Sequence, residues 1–144
     1  MMTLHSRDFV ALSEAALLKA LDAENRRPNL MVLCKEVEIS AVVKQVLRYC
    51  APPYHFTVMP GRLDLPRQKR GTLLVTDIAA MTLGQQIALY DFLSDGCRNI
   101  QVVSLTSTPL APLVQAGQFL EGLFYRLNVI NLDARPEAET ARAH

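Results

Sequence analysis

Short apolar runs alternate with segments of helical period along this chain, and that alternation restricts the fold more than any single residue does. Leu30-Met31-Val32-Leu33 is apolar at four successive positions, the pattern of a strand covered on both faces. Val37 to Tyr49 then returns to helical spacing, with Ile39, Val42, Val43, Val46 and Leu47 on one side and Lys44, Gln45 and Arg48 on the other. Pro52 and Pro53 stop that helix, and Tyr54 to Met59 alternates as a second strand. Thr72 to Thr76 and Ile100 to Leu105 read as further buried strands, separated by a helical Gln85 to Leu93. Pro109 to Ala116 and Phe119 to Phe124 read as short helices, and Leu127 to Leu132 as a last strand. An amphipathic helix is expected upstream over Leu12 to Arg26, with Ser13 as its N-cap. Strands interleaved with helices imply an α/β fold: an open, mostly parallel five-stranded sheet between helical layers, α/β/α.

Half of the 144 residues are apolar and a fifth are charged, enough for one domain with a sizeable core. Residues 1–132 are expected to form it, and 133–144, rich in Ala, Glu and Arg, a disordered tail. The net charge of +1 is spread along the chain, which argues against direct nucleic-acid binding. No run approaches the roughly 20 apolar residues of a bilayer span, so no membrane association and a cytoplasmic location are expected. Cys34, Cys50 and Cys97 have no metal-type spacing and read as reduced thiols. His5, His55 and His144 are scattered, and no metal site is expected.

The stretch Gly117-Gln118-Phe119-Leu120-Glu121-Gly122-Leu123-Phe124-Tyr125-Arg126-Leu127-Asn128-Val129-Ile130-Asn131-Leu132 closely resembles the end of the catalytic core in bacterial enhancer-binding proteins, the NtrC-like AAA+ activators of sigma-54 RNA polymerase. Gly71 to Met81 resembles their Walker B segment, and Ile100 to Thr108 their sensor I region. The likeness is specific from Gly71 to Leu132 and weaker from Leu30 to Tyr49. It implies a P-loop NTPase (AAA+ core) fold, here without the helical lid that follows in the family, and a family chemistry that uses ATP and magnesium.

The positions that carry that chemistry differ in this chain. In P-loop enzymes a glycine-rich turn lets backbone N–H groups surround the phosphates while a lysine reaches the outer ones. The corresponding turn is Cys34-Lys35-Glu36-Val37-Glu38-Ile39-Ser40, without glycine and with two carboxylates; the lysine position falls on Ser40, and Lys35 is the substitute on offer. The adjacent Asp and Glu of Walker B become Thr76 and Asp77. Thr106 matches the sensor position, with Ser107 beside it. Of the two family arginines, the second matches Arg126 and the first falls on Leu120. Asp77 also suits a turn cap, Thr106 a bond to loop backbone, and Arg126 a bond to carbonyls at a helix end. The long insertion with the GAFTGA loop is replaced by Cys50 to Arg70, which carries a short basic loop with Arg62, Arg67, Lys69 and Arg70.

The expectation is therefore a non-catalytic AAA+-like module with no cofactor, acting by protein contact in sigma-54-linked transcriptional regulation. Its expected partner is an intact enhancer-binding activator or that activator's regulator, met through the face around Phe119 to Arg126. The alternatives are a divergent ATPase using Lys35, Asp77 and Arg126, and a degenerate receiver-like domain with Asp77 as phosphoacceptor.

Overall fold

Leu30–Leu33 (β2) has every side chain buried, as four apolar neighbours in a row require of a central strand. The computed structural model describes residues 2–5, 28–96 and 99–135. Around β2 lie Met2–His5 (β1), Tyr54–Val58 (β3), Arg70–Thr76 (β4), Asn99–Thr106 (β5) and Ile130–Asp133 (β6). They form one sheet in the order β1-β6-β2-β5-β4-β3, and every pairing is parallel. The five strands expected from the sequence are all present, and β1 adds a sixth at the edge beyond β6.

Alternation along the strands divides the core between two faces. Leu30, Val32, Leu74, Val103, Leu105 and Leu132 pack against Val42 and Val46 of the helix Ile39–Leu47 (α1). Met31, Leu73, Val75 and Val102 face the other way, toward Leu89 and Phe92 of Leu83–Leu93 (α2) and Leu123 and Leu127 of Glu121–Leu127 (α4). A short helix, Ala111–Gln115 (α3), stands between β5 and α4. The result is the three-layer α/β/α arrangement that the strand and helix spacing implies.

Two boundaries differ from the sequence reading for a physical reason. Leu123 and Leu127 are both fully buried one helical turn apart, so α4 continues to Leu127 and the last strand starts only at Ile130. At the other end of β6, Asp133 remains in the strand and Ala134 is fully buried, so packing extends past residue 132. Residues 136–144, Cys97, and the helix expected over Leu12 to Arg26 with its cap Ser13 lie outside the described residues.

The connection from β3 to β4 contains no helix. Leu63 and Leu65 pack on the second core cluster and Pro66 is buried, while Arg62, Arg67, Lys69 and Arg70 remain exposed. The basic loop is thus pinned by its apolar residues, with Arg62 paired to Asp64 at 3.0 Å in the open.

Candidate functional site

A cleft of about 570 Å³ opens near the carboxyl ends of β3 and β4, beside α1. Ile39, Val43, Phe56, Val58 and Leu74 give it an apolar wall, and Glu36, Ser40, Lys44, Thr76, Asp77 and Ser107 supply its polar groups. Of the positions singled out from the sequence, Glu36, Ser40, Thr76, Asp77 and Ser107 therefore share one cavity.

That turn is short. Cys34 is buried and its N–H donates to the Thr106 carbonyl at 3.0 Å, which continues the sheet. Lys35 then leads directly into a 3-10 turn, Glu36–Glu38, closed by the Glu38 N–H on the Lys35 carbonyl at 2.9 Å. The 3-10 turn runs straight into α1, with both acidic residues in its single turn. Val37 projects into solvent at 88% exposure. Burial, with a smaller contribution from the Glu38 carboxylate, pushes the Cys34 thiol up from 9.0 to about 11, which keeps it protonated and unreactive near neutrality.

Asp77 follows β4 with φ +53° and ψ +51°, a left-handed conformation that costs a side-chain-bearing residue about 1 kcal/mol. It leads into the 3-10 turn Ile78–Ala80, to which its side chain makes no capping bond. Thr106 ends β5 nearby, but its hydroxyl is engaged locally: it donates to the Thr108 carbonyl at 2.6 Å and accepts from the Thr108 N–H at 3.2 Å. Arg126 lies elsewhere, on α4 in the opposite helical layer. Its guanidinium sits 4.8 Å above the Tyr90 ring and donates to the Leu93 carbonyl at the end of α2, at 3.4 Å. Asp77, Thr106 and Arg126 are thus not one constellation; only Asp77 lines the cleft.

Sequence reasoning missed three polar residues that organise the surroundings. Gln86, almost fully buried, donates to the carbonyls of Met81 and Gln118, both at 3.2 Å, and accepts from the Leu120 N–H at 2.9 Å. Asn29 accepts from the Val102 N–H at 2.8 Å and donates to the Arg126 carbonyl at 2.9 Å, joining β5 to α4. At the end of β6, Asp133 accepts from the Arg135 backbone N–H and Nε, both at 3.0 Å, and from its Nη2 at 2.8 Å. Gln86 and Asn29 carry no local mark, because their partners are set by tertiary structure, whereas Asp133 bonds a residue only two positions on.

Among the described residues no group of His, Cys, Asp and Glu could hold a metal ion, and no helix is long and apolar enough to cross a membrane. Cys34 and Cys50 are buried thiols outside any disulfide.

Residues 55–136, more than half of the chain, match the family model of the Sigma-54 interaction domain. The HTH-type transcriptional regulatory protein TyrR of Enterobacter agglomerans is 28% identical over 128 residues, covering 81% of this chain and 25% of that protein. The response regulator protein FleR of Pseudomonas aeruginosa is 37% identical over 91 residues, covering 56% of this chain and 19% of that protein. The chain spans about a quarter or less of the length of these relatives. Among solved structures, NtrX from Brucella abortus in complex with ATP superimposes with a TM-score of 0.66 at 15% identity, over 92% of this chain and 40% of that one. The P-loop NTPase domain of a sigma-54 transport activator from E. coli gives 0.59 at 12% identity, over 85% and 94%. At those identities the likeness establishes the shared α/β fold.

Proposed function

Since the chain belongs to the Sigma-54 interaction domain family, we propose that it serves transcriptional regulation as a module that works by protein contact and does not hydrolyse ATP. The observation that carries this reading is the turn between β2 and α1. A triphosphate needs several backbone N–H groups converging from a loop that curls around it, a geometry that glycines make accessible. Here two residues separate the strand from a 3-10 turn, no glycine is present, and Glu36 and Glu38 set negative charge where phosphate would lie. The same reading is supported by Thr106, whose hydroxyl is committed to its own loop, and by Arg126, which is engaged with α2.

The partner is an intact enhancer-binding activator or its regulator. It docks on the exposed part of the segment 119–126, where Glu121, Tyr125 and Arg126 stand on one helix. The module acts in the cytoplasm and makes no direct contact with DNA. Calorimetric titration with ATP and with ADP, with and without magnesium, is expected to give no binding heat, and millimolar Mg-ATP no rise in melting temperature. A saturable rise would overturn the non-catalytic reading in favour of a divergent ATPase; of the residues expected to serve it, Lys35, Asp77 and Arg126, Asp77 alone lines the cleft. Native mass spectrometry with candidate activators tests the docking separately: a defined complex is expected, weakened by Tyr125→Ala.

A further inference from the structure

The outer edge of β3 combines outward-facing backbone groups with exposed apolar side chains. The Pro53 carbonyl accepts from the Thr72 N–H, and the Met59 N–H donates to the Thr76 carbonyl, so the odd-numbered residues of this segment bond to β4. The N–H and C=O groups of Tyr54, Phe56 and Val58 therefore point away from the sheet. Their side chains share the face that α1 covers, yet α1 stops short of them: they are 41%, 55% and 67% exposed. Phe56 and Val58 also form a wall of the cleft. Edge strands are usually protected by charge, a proline within the strand or a bulge. Tyr54-His55-Phe56-Thr57-Val58 carries no Lys, Arg, Asp or Glu, and prolines stand only outside it, at 52, 53 and 60.

The geometry points to a second copy of this chain as the occupant, added through an antiparallel β3 to β3 pairing about a two-fold axis. Such pairing sets Phe56 opposite Phe56 of the other copy and Tyr54 opposite Val58, all on one face, the kind of cross-strand contact that stabilises sheets. Charge favours the same arrangement. Glu36, Glu38 and Asp77 outnumber Lys35 and Lys44 around the cleft toward the carboxyl end of the strands, whereas Arg48 at the end of α1 and Arg70 at the start of β4 stand toward the amino end. Reversing the strand direction brings the acidic end of each copy toward the basic end of the other. A net charge of +1 leaves little general repulsion to oppose it. The two-fold pairing uses the same β3 edge of both copies, so it closes as a dimer. The inference does not depend on whether the chain binds nucleotide or an activator.

Sedimentation equilibrium of the 144-residue chain over the micromolar range tests it. A monomer–dimer equilibrium is expected, and Phe56→Lys, which sets like charges opposite each other on the axis, shifts its midpoint at least about tenfold toward higher concentration. The residue is exposed, and an unchanged melting curve of the variant below the dimer midpoint verifies that it folds. In a Cys97→Ser background, Phe56→Cys is expected to cross-link to a covalent dimer on mild oxidation, while Val37→Cys, at a still more exposed position, stays monomeric. A chain that remains monomeric throughout, a dimer that Phe56→Lys leaves intact, or equal cross-linking of both cysteine variants overturns the proposal.

Discussion

Three residues tie local energetics to backbone angle, clearance and burial. Asp77 occupies a left-handed backbone conformation that glycine adopts without penalty, so Asp77→Gly is expected to raise stability by about 0.5–1 kcal/mol in urea unfolding. Gly71 is the opposite case. Its φ of +117° and its close approach to the Pro53 carbonyl leave no room for a β-carbon, and Gly71→Ala is expected to cost at least about 2 kcal/mol. Cys34 ties stability to pH. Its folded value of about 11 lies above the ordinary 9.0, so below pH 9 the thiol is protonated in both states and contributes no dependence. Between 9 and 11 the unfolded chain releases the proton while the folded chain keeps it, and stability falls by on the order of 1–3 kcal/mol. Unfolding at about pH 8 and about pH 10.5 should therefore show a steeper loss in the wild type than in Cys34→Ala. Of these three features, the sequence displays only the identity of the residue. Backbone angle, clearance and burial arise from tertiary placement.

At the level of elements, strands were the most legible. Runs such as Leu30 to Leu33 and Val102 to Val103 leave no alternative to double-sided burial, and they occupy β2 and the centre of β5. Helix ends were less so. The reading began α2 at Gln85, whereas it starts at Leu83 under a capping box: the Thr82 hydroxyl accepts from the Gln85 N–H at 3.2 Å and the Gln85 side chain accepts from the Thr82 N–H at 3.0 Å. The pattern Thr-x-x-Gln was available as a signal. Thr82→Ala is expected to lower stability by about 1 kcal/mol. Gln86, one residue further, joins α2 to the loop before α4. Replacing it with Leu would leave the Leu120 N–H and two carbonyls without their partner, at an expected cost of about 2–3 kcal/mol. That role was illegible because residues 86 and 118–120 meet only once the second helical layer has assembled.

For the whole molecule, the order of the five expected strands followed from the family resemblance, and the three layers from hydrophobic period alone. The candidate site was legible in part. Thr76 and Asp77 do border the cleft, but the apolar wall that Phe56 and Val58 give it depends on α1 stopping short of the sheet edge, which no local pattern records. The central position of β2 and β5 has a measurable consequence: amides of Leu30–Leu33 and Val102–Leu105 are expected to exchange with solvent only through global unfolding.

The first strand of the chain finds its sheet neighbour in the last one, and the two run in the same direction. Tension applied between the chain's ends would accordingly pull β1 and β6 in opposite directions along their length. The ladder from Met2 and Ile130 to His5 and Asp133 would be sheared as a unit, with its bonds sharing the load, where a hairpin closing the same sheet would unzip one bond at a time. Joined at both ends to other domains, this module would give way abruptly at a high force instead of peeling open.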